Sequence, residues 1–499
     1  ALSHIFYYTI KSLFWTLPKQ PSAFLRLRDG PVHVILKEKR KTLKKEVLPV
    51  STLLLKNARY VVSCDDSDTL YERVNVYIKD GVIASIGPDY HQAQQVIDAS
   101  SMAVYPGLIN THHHLYQIFS RNLPEVQKME LFPWLVTLYE VWKGLDEEVA
   151  AYSALTGLGE LLKTGCTTCF DHHYVFPQGA GDLIAAQFRA ASQVGIRFVA
   201  SRGSMDLSQK DGGLPPDSVV QTIDEIMEDS ERLVRIWHDP APYSMHQVVL
   251  APCSPFSVSG DLLRESARLA RHLGVRLHTH VAETRDEEQF TLEKFGMRPL
   301  RYMESLGWVG SDVWYAHGIH FNDEELRFLA ETGTGVAHCP ISNMKLSSGV
   351  CRVPEMLELG VPVGLAVDGA ASNDGSNLLE ELRVCYLLHR LHSSAAAPTG
   401  YEVLKLATRG SARLLGRTDI GCLAPGMAAD CFLIDLDRLS LVGAQFDPMS
   451  VLGTVGFKGN VDYTIVNGVP VVQNGELTTI DEAETVREAD RVVRRYLGR

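Results

Sequence analysis

The stretch at residues 261–283, DLLRESARLARHLGVRLHTHVAE, decides the fold class. Its first half reads as a helix over 261–273, and Val275 to His280 reads as a strand. That strand ends on two histidines with one residue between them, and Glu283 follows. The same unit recurs on either side. Strand-like runs lie at 166–170, 196–200, 248–251, 314–316, 335–337 and 363–367, with helix-like runs such as 150–162 and 323–331 between them. Regular alternation from Leu108 to about Leu415 predicts an α/β fold, a parallel (β/α)8 TIM barrel.

Outside this region the pattern changes. Short β-type runs at 53–55, 60–62 and 74–78, with an Asp80-Gly81 hairpin turn, precede the barrel. Runs at 431–434 and 463–466, with an Asn467-Gly468 turn, follow it. We expect one small β-sandwich domain built from both ends of the chain, 52–106 and 421–480, with the barrel at 107–420 inserted between them. Residues 481–499 read as a charged amphipathic helix. Residues 1–51 hold an aromatic stretch, Phe6-Tyr7-Tyr8 and Phe14-Trp15, and a basic cluster from Lys37 to Lys45. Asp29, Glu38 and Glu46 fit a transit peptide poorly. We expect a non-catalytic extension of unknown role, with a targeting or membrane-surface segment as the rival.

The chain has 499 residues and a net charge of −12, which disfavours a general nucleic-acid surface. A free small-molecule base is the more natural partner. The 9 cysteines form no regular framework and suit a reducing, cytoplasmic setting. No apolar run is long enough to predict a membrane span. A homo-oligomer is left open.

Polar residues at strand ends face the site of a barrel. Four such ends carry metal-ligand chemistry: Asn110-Thr111-His112-His113-His114, the His278 to Glu283 run, Ala316-His317-Gly318 and Val367-Asp368-Gly369. Residues two apart on a strand point the same way, so His112 and His114 can grip one ion while His113 faces elsewhere. A lone strand-end histidine is more often structural, and His113, His172, His173, His320 and His338 are read so. Cys166-Thr167-Thr168-Cys169 resembles half of a cytidine-type zinc site, but no His-x-Glu partners it, and the pair reads as packing.

His-x-His, then His with Glu three residues on, then His, then Asp, in that order, resembles the amidohydrolase superfamily. The likeness is to the branch that deaminates purines, pterins and related rings, and it runs from about Thr52 to Val472. Leu423-Ala424-Pro425-Gly426-Met427-Ala428-Ala429-Asp430 is similar to the family's return into its β domain. Within the branch, residues 131–135, 171–174, 202–205, 251–256 and 368–374 most resemble deaminases of 8-oxoguanine.

The resemblance implies the metal ligands His112, His114, His280 and Asp368. Three imidazoles and a carboxylate suit one divalent ion, zinc before iron. Binuclear relatives use a lysine on the fourth strand, and 248–253 has none. The implied catalytic set is Glu283, His317 and Asp368. An ion acidifies a water, Asp368 takes its proton, Glu283 serves the ring nitrogen and the leaving ammonia, and His317 hydrogen-bonds the attacking oxygen. Gln117 matches a ring-reading glutamine of guanine deaminase, whereas Cys253 stands where that enzyme has arginine. Trp134 and Tyr139 read as ring-stacking or core aromatics, His317 as a further substrate contact, and Arg202 as a carbonyl reader or an ion-pair partner. The expected reaction is 8-oxoguanine plus water to urate and ammonia. The alternatives are an isoxanthopterin, pterin or guanine deaminase, or an s-triazine amino- or chlorohydrolase of the hydroxyatrazine type. A relative that has lost its ligands and only binds or scaffolds is disfavoured, because every ligand is present.

Overall fold

The computed structural model describes residues 51–499. The proposed extension at 1–51 falls almost wholly outside them. Eight parallel strands form the barrel: Leu108–Asn110, Cys166–Asp171, Arg197–Ser204, His246–Pro252, Leu277–Val281, Val313–His317, Gly335–His338 and Val363–Leu365. They neighbour one another in chain order, with helices between. The unit quoted first behaves as its pattern demands. Ser259 caps the helix Gly260–Leu273 by accepting from Leu262 N at 3.1 Å, and Gly274, at φ +71°, ends it.

The sheet is nearly closed. No regular ladder joins its last strand to its first, and other groups span the seam. Asp368 N donates to His112 O at 3.1 Å, Val367 N to Asn110 Oδ1 at 3.0 Å, and Thr111 Oγ1 to Leu365 O at 3.1 Å. The first and eighth strand ends, which carry candidate ligands, are thereby tied to each other. Ile109, Phe170, Val199, Val249, Trp314 and Ala337 fill the barrel interior.

Among the described residues the separate sheet has nine strands, drawn from both sides of the barrel. Cys431–Asp435 pairs antiparallel with Met102–Pro106, from Cys431 opposite Pro106 to Asp435 opposite Met102. The returning chain therefore lies beside the strand that leads into Leu108–Asn110. Tyr463–Val466 and Val469–Gln473 continue the sheet through the Asn467-Gly468 turn, both residues at positive φ. Hydrogen bonding runs through all nine strands as one sheet. The final helix is Glu482–Leu497. No described helix is long and apolar enough to cross a membrane.

One buried ion pair locks the barrel to this sheet. Arg197, on the third barrel strand, donates to both carboxylate oxygens of Asp430 at 3.0–3.1 Å, and their side chains are 0% and 2% exposed. Arg197 also donates to Tyr243 O and Ser244 O, and Asp430 Oδ1 accepts from Asn467 N. Asp430→Ala leaves a desolvated guanidinium without its counter-charge. Denaturant titration should show a loss of about 3–5 kcal/mol, and a loss below about 1 kcal/mol would mean that the pair is not what joins the two parts.

Candidate metal and active site

The C-terminal ends of the barrel strands bring together the residues singled out by their spacing. His112 and His114 follow the first strand, His280 lies on the fifth, His317 ends the sixth and Asp368 follows the eighth. His112 Nε2 and His114 Nε2 each stand 3.3 Å from Asp368 Oδ1, and His114 Nε2 stands 3.2 Å from His280 Nε2.

The outer partners of these rings fix which nitrogens carry protons. His114 Nδ1 donates to His172 O at 2.6 Å, and His280 Nδ1 donates to Cys253 O at 2.6 Å. A carbonyl only accepts, so both rings hold their proton on Nδ1 when neutral. For His112 the reasoning takes one more step. His278 Nδ1 donates to Trp314 O at 2.9 Å, which leaves His278 Nε2 as a lone pair. His112 Nδ1 donates to that lone pair at 2.9 Å. All three inward-facing Nε2 atoms are then bare. Burial pushes His112 down to about 3 and His280 well below an ordinary histidine, so both are neutral at pH 7. His112 Nε2 is buried with no hydrogen-bond partner. The contact between His114 and His280 is accordingly a meeting of two lone pairs, not a hydrogen bond. Three lone pairs and a carboxylate converging in a buried space fit one divalent cation, with the second-shell carbonyls such sites employ.

Asp368 and His317 sit in left-handed backbone, at φ 64° and 70°. This costs on the order of 1–3 kcal/mol each where the residue is not glycine, and the surroundings hold it. Asp368 Oδ1 accepts from Gly369 N, and its Oδ2 accepts from Ser342 Oγ at 2.6 Å and Ser372 Oγ at 3.2 Å. Gly318 N and Ile319 N bond back to Val281 O and Ala282 O, fixing the turn after His317.

His317 Nε2 lies 3.5 Å from Glu283 Oε2 and 4.0 Å from Asp368 Oδ2. Burial pushes the Glu283 carboxyl above the usual range, only partly offset by His317. Burial lowers His317, but Glu283 and Asp368 together leave it above an ordinary histidine. Such a pair can exchange a proton.

A small pocket lies above these groups. Gln117, Trp134, Tyr174, Cys253, Phe256 and Ser372 line it, with His114, His280, Glu283, His317 and Asp368 at its floor. Among the described residues, no lysine or arginine lines it. Gln117 packs on the turn after Asp368 so closely that a Cβ on Gly369 would fall 1.9 Å from Gln117 Oε1. Gln117 Oε1 and Trp134 Nε1 are buried without partners. Tyr139 does not line the pocket, and its hydroxyl meets Met205 Sδ at 3.5 Å in the core. Arg202 points away, bonded to Asp229 at 2.6 Å and Gln221 at 2.8 Å. His113 pairs with Ser376, His173 with Val175 O and His320 with Ser348 O. His172 donates to Ala251 O and stacks on His280 at 4.8 Å, as a wall of the cluster.

Two residues of this machinery went unassigned in the sequence reading. His278 sets the tautomer of His112, and its signal was its place as the first histidine of His278-Thr279-His280, on the same strand face as His280. Glu287 is fully buried and accepts from Ala282 N at 2.8 Å and Glu283 N at 3.0 Å, clamping the turn that presents Glu283. Its only sequence signal is a place one helical turn beyond Glu283. Replacing His278 by leucine removes the acceptor of the His112 Nδ1 proton. Metal affinity, measured by competition with a chromophoric chelator, should fall about 10–100-fold, and unchanged affinity would refute the tautomer relay.

A family model described as "Amidohydrolase family" matches residues 103–471. The 8-oxoguanine deaminase of Pseudomonas aeruginosa is 47% identical over 413 residues, covering 82% of this chain and 92% of that protein. Hydroxydechloroatrazine ethylaminohydrolase of Pseudomonas sp. (strain ADP) is 42% identical over 465 residues, covering 90% and 96%. The crystal structure of atrazine chlorohydrolase from Arthrobacter aurescens TC1 complexed with zinc superposes with a TM-score of 0.85 at 32% identity, covering 88% of this chain and 100% of that one. The matched span holds the whole barrel and every strand end of the site, and the chain belongs to the amidohydrolase family.

Proposed function

We propose that this metal-dependent aminohydrolase deaminates a neutral purine-like ring, 8-oxoguanine first, giving urate and ammonia. The observation that carries the chemistry is the convergence of three bare imidazole nitrogens and Asp368 beneath a pocket that also holds Glu283 and His317. A bound zinc or iron ion would be held by His112, His114, His280 and Asp368, and would supply Lewis acidity and an acidified water. The remaining work falls to the chain. Asp368 Oδ2 faces His317 and accepts the water's proton. His317 Nε2 hydrogen-bonds the oxygen that adds to the ring carbon. Glu283, whose carboxyl burial pushes above the usual range, donates its proton to a ring nitrogen. It takes up the one that Asp368 removed from the water and passes that one to the departing amine, and the hydroxyl proton of the addition product then returns to Glu283. Water adds, the C–N bond breaks, and ammonia leaves while the ring gains a carbonyl.

The substrate assignment is supported by the 47% likeness to the Pseudomonas aeruginosa enzyme and by pocket chemistry. Gln117 and Trp134 offer unpartnered polar atoms to a ring that carries donors and acceptors on several edges. The 42% likeness to a triazine aminohydrolase makes an alkylamino-triazine the second reading, and a pterin the third. All 9 cysteines are free thiols, and we place the protein in the cytoplasm.

Two measurements test this reading. Glu283→Gln should keep the metal and lose at least about 100-fold in kcat, and loss of metal instead would make Glu283 a ligand. In addition, kcat/KM for 8-oxoguanine should exceed that for guanine, isoxanthopterin and hydroxyatrazine on one preparation. A site that pairs with the 8-oxo edge leaves polar groups unpaired when guanine binds, so about 10-fold or more is expected. If hydroxyatrazine or guanine wins, the substrate assignment fails.

A further inference from the structure

Outside the barrel wall, three more metal-ligating side chains meet. His338 lies on the seventh strand, between Ala337 and Cys339, which both face the barrel interior, so His338 points outward to the helices. There it meets Cys385 and His389, four residues apart on one face of the helix Leu378–Ser393. All three are fully buried, and each offers a ligand atom within 4.8 Å of the others. His338 Nε2 stands 3.3 Å from His389 Nε2. With nitrogen–metal bonds of 2.0–2.1 Å in a tetrahedral site, two imidazole nitrogens stand about 3.3–3.4 Å apart.

We infer that His338, Cys385 and His389 form a second metal site, for a zinc-class divalent ion, separate from the catalytic one. None of the three lines the active-site pocket. Left empty, the cluster is poorly satisfied. Two neutral imidazoles carry two N–H groups, and their single mutual contact uses one. Among the described residues neither Nδ1 has a partner, so at least one buried donor is left over. Burial holds both rings neutral, as ligands must be. Two imidazoles and a thiolate favour zinc over harder cations, with one position left for water. On binding, the Cys385 S–H bond breaks, a sulfur–metal bond forms and one proton passes to solvent.

The same helix face bears Glu381, which accepts from Asn373 Nδ2 at 2.6 Å and from Ile341 N at 3.3 Å. Asn373 Nδ2 also donates to Val367 O, next to Asp368. An ion between helix and seventh strand therefore braces the scaffold behind the Asp368 turn without touching substrate.

The test is metal stoichiometry of the full chain, stripped with chelator, reloaded with excess Co2+ and desalted. The wild type should hold two ions per chain and show a thiolate-to-cobalt charge-transfer band. Cys385→Ser should hold one ion and lose the band. His280→Ala should also hold one but keep the band, and Cys253→Ser should keep it as well, which separates Cys385 from the cysteine beside the catalytic pocket. If Cys385→Ser does not fold, His389→Gln and the wild-type count serve in its place. A single ion in the wild type, or two ions with an intact band in Cys385→Ser or His389→Gln, would overturn the second site.

Discussion

Proton placement on buried imidazoles is the constraint on which the rest of this structure depends. A histidine at a strand end is ambiguous, since either nitrogen can face inward as donor or acceptor. Here the outer nitrogen of each ring is tied to a group that only accepts, directly for His114 and His280 and through His278 for His112. The inner nitrogens are left as lone pairs, those of His112 and His114 facing a carboxylate oxygen of Asp368. Packed this closely without a cation they repel one another, so the fold holds the electrostatic demand for an ion in place. The backbone carbonyls that impose this belong to the strand ends themselves, Cys253 after the fourth and His172 after the second, so barrel geometry and ligand chemistry are one requirement.

The seam of the barrel serves the same end. Where the eighth strand meets the first, the regular ladder gives way to Asp368 N bonding His112 O and Val367 N bonding Asn110 Oδ1. The bonds that close the sheet thus fix the separation of two ligand-bearing segments. The left-handed turns at Asp368 and His317 break the strand conformation at the two ends that carry these side chains. Ser342, Ser372 and Gly369 hold the Asp368 carboxylate in place by hydrogen bonds.

Much of this was legible in the residues. The period of the barrel strands and the spacing of His112, His114, His280, Glu283, His317 and Asp368 depend on local pattern and chain order, which sequence carries directly. The Asn467-Gly468 and Asp80-Gly81 turns were legible for the same reason, since only a few residues accept positive φ at both positions. Glu287 was not, because an acid in the first turn of a helix usually meets the helix dipole in solvent. Its burial comes from how the turn at Ala282 folds back. Tyr139 illustrates the same limit from the other side: it shares a helix with Trp134, but only Trp134 reaches the pocket. Arg197 and Asp430, 233 residues apart, carry no local signal of their pairing. The outward-facing His338 was indistinguishable from a structural histidine until the helix bearing Cys385 and His389 was laid against it.

What a pocket lacks also decides which substrates fit. A phosphate or carboxylate on a ligand needs a cationic side chain or a cluster of amide donors to replace its lost hydration. Among the described residues this lining supplies no lysine or arginine, and Arg202, at the end of the third strand, is consumed by Asp229, Gln221 and Gly203 O. The catalytic floor is strongly polar, while the walls are Trp134, Tyr174, Phe256 and two leucines from residues 131 and 135. Such walls suit the flat, uncharged heterocycle proposed above. Nucleotides and amino-acid conjugates would bury a charge without a partner. For the ring substrates proposed above, the difference between one base and another rests on the few neutral polar groups that line the pocket, Gln117, Ser254 and Ser372 among them.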